Sequence, residues 1–363
     1  MERVKLIDIC KPKQWKTISG KDILEKGKYP VYGANGKIGF YNEYNHEKPT
    51  LLIGCRGSCG TIHISEPFSY TSGNAMALDG LSSKVDIKFL FYYLKQRGFD
   101  DVMSGGVQKQ ITKVGLEKVE IPLPPLVEQQ AIAEKLDQAQ KIIDLNEAEV
   151  ARYDKLAQAL FIDMFGDPVQ NPKGWEVKKL GEVCDVSSGS TPSRSVSEYW
   201  DNGTIPWIKT GEVKGNVIYE TEEKITEMAL KETSCKLYSK GSLLIAMYGQ
   251  GKTRGNVAVM GIDATTNQAC AVLSKNINLD VQYLLQLLKL NYEDLRNLGR
   301  GGNQPNLNVG LIKNYQIIYP PITLQNEFAK RIEQIEILKN QAQQELEQSK
   351  NLFQSLLQES FKG

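Results

Sequence analysis

The chain has 363 residues, 41% of them hydrophobic, enough for two domains with cores of their own. A formal net charge of +1 argues against a strong stand-alone nucleic-acid binder, and six cysteines are too few for a disulfide framework at this length. No apolar stretch reaches membrane-spanning length and no leader-like segment stands out, so the thiols are expected reduced, in a cytoplasmic protein.

In chain order, the first half opens on Val4-Lys5-Leu6-Ile7-Asp8-Ile9-Cys10, a strand or turn. Thr50-Leu51-Leu52-Ile53-Gly54 has the continuous apolar run of a buried strand and leads into the small, polar loop Cys55-Arg56-Gly57-Ser58-Cys59-Gly60-Thr61. Small residues there let a backbone approach something closely. Ser72-Gly73-Asn74-Ala75-Met76, a helix at about 86–97 and the loop Gly105-Gly106-Val107-Gln108-Lys109-Gln110-Ile111 follow. The strand Val119-Glu120-Ile121 then runs into Pro124-Pro125.

The second half repeats these parts. Val177-Lys178-Lys179-Leu180-Gly181-Glu182-Val183-Cys184 matches the opening, and Ser242-Leu243-Leu244-Ile245-Ala246 matches the buried strand. The loop Met247 to Gly255, the turn Thr265-Thr266-Asn267-Gln268-Ala269-Cys270, a helical segment at 280–297, the loop Gly301 to Leu307 and the strand Gln316-Ile317-Ile318-Tyr319 continue the match up to Pro320-Pro321. Two similar mixed α/β globules of one ancestry are therefore expected. Their middles, residues 11–49 and 185–241, differ in length and content, so the shared parts read as frame and the divergent parts as the surface that distinguishes the two.

Each globule ends in a long periodic run, 124–166 and 320–363, that opens on Pro-Pro and that no Gly or Pro interrupts before Gly166 or Gly363. Apolar residues match at one constant offset: Ile132 with Phe328, Leu136 with Ile332, Ala139 with Ile335, Val150 with Leu346, Leu156 with Leu352, Leu160 with Leu356, Phe165 with Phe361. Steps of three and four place them on one helical seam. A helix of about 38 residues is about 57 Å long and needs a partner for its seam. The expected architecture is an α/β (α+β) chain with domains 1–123 and 167–319 and spacer helices 124–166 and 320–363. The helices are expected to pair as an antiparallel coiled coil about a pseudo-twofold axis, setting the distance between the globules. The globular stretches are neutral to basic and the helical runs acidic to neutral, so a polyanion would meet the globules.

Catalytic patterns are weak. Cys55 and Cys59 would need two further ligands for zinc, and the sequence holds only His46 and His63. The stretch Ala246 to Thr253 loosely fits a phosphate loop, but a Gly break and then a strand should follow it where a helix is required. Asp167 before Glu176-Val177-Lys178 and Asp201 before Glu212-Val213-Lys214 have nuclease-like spacing, although Glu-x-Lys is common by chance and neither has a counterpart in the other globule. Asn171-Pro172-Lys173 breaks the tetrad an adenine methyltransferase needs.

The segment Gly166-Asp167-Pro168-Val169-Gln170-Asn171-Pro172-Lys173-Gly174-Trp175-Glu176-Val177-Lys178-Lys179-Leu180-Gly181-Glu182-Val183, together with Thr266-Asn267-Gln268-Ala269-Cys270 and the Pro-Pro-x-x-x-Gln helix starts at Pro124 and Pro320, closely resembles the specificity subunit of type I restriction-modification enzymes. The resemblance covers essentially the whole chain. It implies two target-recognition domains that each read one half of a split double-stranded DNA site, spaced by two helices that also dock modification subunits, two of them expected. Restriction subunits would join through the complex. It implies a non-catalytic chain with no cofactor of its own, S-adenosylmethionine, ATP and Mg being expected on partner subunits only. A methylation-only system, a coiled-coil scaffold that binds no particular DNA sequence, and an enzyme using the Lys252 loop or the Glu-x-Lys carboxylates are the rival readings.

Base edges are read by Arg, Lys, Asn, Gln and Tyr on loops, and phosphates by Lys and Ser. The DNA-facing candidates in the first globule are Tyr32, Asn35, Lys37, Arg56, Ser58, Asn74, Gln108 and Lys109. In the second they are Ser190, Thr191, Arg194, Lys209, Tyr248, Gln250, Lys252, Arg254, Asn267, Arg300 and Asn303. Asn74, Asn267, Gln108 and Gln304 recur in both halves, which suits frame or backbone duty better than base reading. The helix seam is assigned to Leu136, Val150, Leu156, Leu160, Ile332, Leu346, Leu352 and Leu356.

Overall fold

A computed structural model of the chain describes residues 3–106, 108–249, 251, 253–299 and 306–362. The two periodic runs form helices Leu126–Phe165, of 40 residues, and Ile322–Ser360, of 39. Each starts directly after its Pro-Pro, where a missing N–H costs no helical hydrogen bond. The first ends at Gly166, whose φ of +81° is the left-handed conformation that closes a helix.

The chain divides into two compact units, residues 1–147 with 343–363, and residues 148–342, so each unit contains part of both long helices. In the first unit Leu136, Ala139 and Ile143 pack with Phe353, Leu357 and Tyr92. Asn146 Nδ2 donates to Ser349 Oγ at 2.8 Å, and Lys350 lies 3.2 Å from Glu147. In the second unit Lys339 meets Asp154 at 2.6 Å, and the ring of Phe328 stands edge-on to Phe161 and Phe165 at 5.5 and 5.3 Å. One helix climbs from 154 to 165 as its partner falls from 339 to 328, so the pairing is antiparallel.

The seam needs one correction. Leu136 and Ile332 are fully buried, and Val150, Leu160, Leu346 and Leu356 are half-buried. Leu156 and Leu352 are 49% and 54% exposed. Their places are taken one residue on, by Ala157 followed by Phe161 and Phe165, and by Phe353 followed by Leu357. Successive helical residues point about 100° apart, so a neighbour of a seam residue faces away from it. Matching apolar residues between the halves identified equivalent positions without saying which face they occupy.

Both units carry the same pair of sheets. In the first, strands Lys11–Gln14, Ala75–Asp79, Leu51–Gly54 and Ile62–Ile64 lie side by side in that order, all antiparallel. A second sheet has Tyr29–Gly33 between Gly36–Tyr41, antiparallel, and Tyr70–Thr71, parallel. In the second unit the first sheet comprises Val186–Ser188, Cys270–Leu273, Leu243–Ala246 and Val257–Met260, with Val217–Ile218 added parallel at the edge. The smaller sheet places Ile205–Ile208 between Glu223–Ile225, antiparallel, and Thr265–Thr266, parallel. The divergent middles thus carry equivalent strands. Their apolar spacing differs too much for the equivalence to show in sequence.

A repeated amide joins frame to helix. Asp86 and Asp280 cap the helices Ile87–Arg97 and Val281–Leu290, each carboxylate accepting two N–H groups of the first turn. The cap residue's own N–H donates to a glutamine at the start of a long helix, Asp86 to Gln129 Oε1 and Asp280 to Gln325 Oε1, both at 2.9 Å. Each glutamine Nε2 donates at 2.8 Å to the carbonyl of the first Pro, Pro124 or Pro320. Both side chains are fully buried.

Gln129→Ala and Gln325→Ala each strand a buried N–H and a carbonyl, and each is expected to lower stability by about 1–3 kcal/mol in chemical denaturation. Leu156→Ser and Leu352→Ser should change it by less than about 0.5 kcal/mol, whereas Phe161→Ala should cost about 3–5 kcal/mol. Equal costs would contradict the seam.

Candidate nucleic-acid interface

In the first unit the buried strand Leu51–Gly54 delivers a loop that is wired to three others. The N–H groups of Cys55 and Arg56 donate to Asn74 O at 2.9 and 3.3 Å, and Ile111 N–H donates to Cys55 O at 3.1 Å. The hydroxyl of Thr61 donates to Ala34 O in the hairpin tip, and Cys59 Sγ donates to Lys109 O at 2.9 Å. A Cβ on Gly54 would collide with the carbonyl oxygens of Ser58 and Ala34, so this crossing needs glycine. Asn35, Arg56, Ser58, Asn74, Gln108 and Lys109 thereby gather at one end of the unit. All have exposed side chains except Ser58, which is half-buried.

Two candidates of this unit stand apart. Tyr32 is buried against Leu52 and Ala77, its hydroxyl 3.3 Å from Glu66 Oε1 and accepting the Glu66 N–H at 3.2 Å, and burial pushes its phenol pKa up. Lys37 is exposed and pairs with the same carboxylate at 3.0 Å.

The second unit repeats the wiring. Met247 N–H donates to Ala269 O at 2.8 Å, and Leu307 N–H donates to Met247 O at 3.1 Å, as Ile111 does to Cys55. Gly189 packs where a Cβ would strike Thr266 O. Asn267 belongs to this frame: its Oδ1 accepts from Thr210 Oγ1 at 3.1 Å and Ala269 N–H at 3.2 Å. Tyr248 is exposed, and Arg254 is half-buried with its carbonyl accepting from Arg296 at 3.0 Å. Gln250, Lys252, Arg300, Asn303 and Gln304 lie outside the described residues.

Beside this wiring, Ser190 Oγ meets Ser234 Oγ at 2.8 Å and Thr191 Oγ1 bonds Gln268 Oε1. Next to them Arg194 Nη1 contacts Glu223 at 2.5 Å, and Lys209 bridges Glu222 at 2.6 Å and Glu223 at 3.1 Å. The Arg194 guanidinium holds the Glu223 carboxyl below the usual carboxylate range, while Glu222, with Glu223, raises Lys209. Trp200, Trp207, Glu222 and Glu223 were not singled out from sequence. The signal was present in Trp207-Ile208-Lys209, an aromatic residue alternating with a cation.

The chemistry on these faces is hydrogen bonding by amides, hydroxyls and cations. Among the described residues no group of His, Cys, Asp and Glu could hold a metal ion. Glu176 and Lys178 lie 3.4 Å apart, paired with each other. The loop after Leu243–Ala246 leads into the strand Val257–Met260, as expected, so no helix N-terminus follows it to receive a phosphate. No helix among the described residues is long and apolar enough to cross a membrane.

The first unit gathers exposed amide, guanidinium and ammonium groups on one loop face, and the second repeats the backbone frame beneath it. The family model of the type I restriction modification DNA specificity domain matches residues 1–152 and 172–348. The specificity subunit of the MjaIX type I restriction enzyme of Methanocaldococcus jannaschii is 28% identical over 322 residues, 82% of this chain and 73% of that one. The EcoR124I/EcoR124II specificity subunit of Escherichia coli is 24% identical, over 89% of this chain and 83% of its own. The S subunit of the type I system of M. genitalium, a crystal structure 18% identical, superposes with a TM-score of 0.64 over 100% of this chain and 96% of its own, and so shares the fold. This chain belongs to the type I restriction-modification DNA specificity family. Specificity subunits of these systems are non-catalytic DNA-recognition subunits that act within restriction-modification complexes.

The six cysteines are unpaired, and five are buried; burial pushes Cys10 up to about 12, Cys184 up to about 11 and Cys270 up to about 12. Half-buried Cys59 is the exception. A thiol reagent on the native chain is expected to modify Cys59 first, with the other five following only on unfolding, as read by peptide mass mapping.

Proposed function

We propose that this chain directs the modification subunits of a type I complex, and the nuclease subunits where present, to a bipartite DNA site. Residues 1–123 would read one half-site and residues 167–319 the other, with the helices 124–166 and 320–363 setting the gap between them. The observation that carries the reading is the backbone hydrogen bonding that the two loop frames share, Ile111 to Cys55 and Leu307 to Met247, under loops of different sequence. One frame used twice with different readers is what a split, asymmetric sequence requires. The duplication also supports two equivalent attachment places, hence two modification subunits. Because net charge is near zero, tight binding would depend on those partners enclosing the duplex, and the salt dependence of the chain alone should be shallow. The cytoplasm, where unmodified DNA is met, is the corresponding location.

The test is co-expression with the cognate modification subunit in a methylation-free host, followed by genome-wide mapping of modified adenines. A motif of two short half-sites around a fixed gap is expected. A continuous motif would refute separate half-site reading, and no modification by a folded, assembled complex would refute the specificity role.

A further inference from the structure

On the smaller sheet of the second unit an arginine lies against two tryptophans, Trp207 of a small buried core and Trp200 packed on that core. The guanidinium of Arg194 lies 3.7 Å from the ring centroid of Trp200 and 5.1 Å from that of Trp207, and the two indoles meet edge-to-face at 5.0 Å. Each indole is itself tied down, Trp200 Nε1 donating to Ser193 O at 3.1 Å and Trp207 Nε1 to Ser190 O at 3.0 Å. Stacking on a fixed aromatic face holds the guanidinium in one plane, so little rotamer freedom remains to be lost on binding. Even so, the Arg194 side chain is 54% exposed.

The surrounding charges decide what it could bind. Glu223 contacts Arg194, Glu222 contacts Lys209, and Glu212 accepts the backbone N–H groups of Lys209 and Glu222 at 2.6 and 3.0 Å. A phosphate placed beside Arg194 and Lys209 would also face the carboxylates of Glu212, Glu222 and Glu223. A neutral base edge meets no such repulsion. The major-groove edge of a G·C pair offers two acceptors, guanine O6 and N7, beside one donor, cytosine N4–H, which is the complement of an arginine fork beside a carboxylate. Exposed ion pairs are individually weak, so exchanging part of the Arg194–Glu223 contact for a base pair costs little. The equivalent sheet of the first unit carries Lys37 and Glu66 with buried Tyr32, a point charge in place of a planar fork. The difference falls in the segments where the two halves diverge.

Resting on the half-site reading of the second unit, we propose that the Trp200-stacked Arg194–Glu223 pair reads one G·C base pair, Arg194 donating to guanine O6 and N7 and Glu223 accepting from cytosine N4–H. The test uses the full chain assembled with its modification subunit, and measures methylation rates on duplexes carrying each base pair at every position of the mapped site. Arg194→Ala is expected to abolish the preference for G·C at a single position of one half-site, a loss of about tenfold to a hundredfold in discrimination, and to leave the other half-site unchanged. Arg194→Lys keeps the charge beside Glu223 but removes the fork, and is expected to relax the same position. Unaltered discrimination at every position in Arg194→Lys, or in a folded Arg194→Ala, overturns the proposal. So does an equal loss on all duplexes, which marks a phosphate contact. A wild-type complex that modifies no split site would remove the underlying reading, and this is seen before any variant is made.

Discussion

The start of a long helix carries orphan N–H groups and has no intrinsic reason to lie in one place on a globule. Here two buried glutamines supply that reason. Gln129 and Gln325 each accept the N–H of an aspartate that caps another helix and donate to the carbonyl of the Pro-Pro that begins their own. Because each amide is fully buried, it must be satisfied on both sides, and only one placement of helix on globule satisfies it. The long helix is therefore fixed to its globule at the first turn.

From that anchor the seam can be built. Aromatic residues do most of it in the second unit, where Phe161, Phe165, Phe328 and Tyr283 form one cluster with Ile332. In the first unit Phe361, the match of Phe165, lies against Phe89 and Tyr93 and packs on Leu136, the match of Ile332, with Leu357. An aromatic contact is therefore kept at this place in both halves while its neighbours change, as when volume and patterning are held. In the loop faces backbone hydrogen bonds recur, Ile111 to Cys55 and Leu307 to Met247, while the loop sequences around them differ.

The family's division of labour fits this construction. A subunit that only recognises needs rigid loops and a variable surface, and its catalysis resides in partners. In keeping with the near-zero net charge, exposed cations are paired with carboxylates, as at Lys37, Arg194 and Lys209. Such pairing restrains indiscriminate attraction to phosphate and leaves hydrogen-bond pattern to decide.

Much of this was legible in the chain itself. The duplication, the uninterrupted helices after each Pro-Pro, the buried strands Leu51–Gly54 and Leu243–Ala246, and the strand after Arg254-Gly255 depend on local periodicity and on Gly and Pro, which act over a few residues. Tertiary structure alone decided which helix face is buried, leaving Leu156 and Leu352 exposed, because a two-way choice between adjacent apolar residues depends on the partner's shape. It decided that Tyr32 fills a core, and it supplied the partners of Asn267, whose recurrence in both halves already suited it to the frame. It also brought Arg194 to Glu223 across 29 positions of sequence. Contacts between distant residues leave no periodic trace, since the chain between them is free to take any path that closes the sheet.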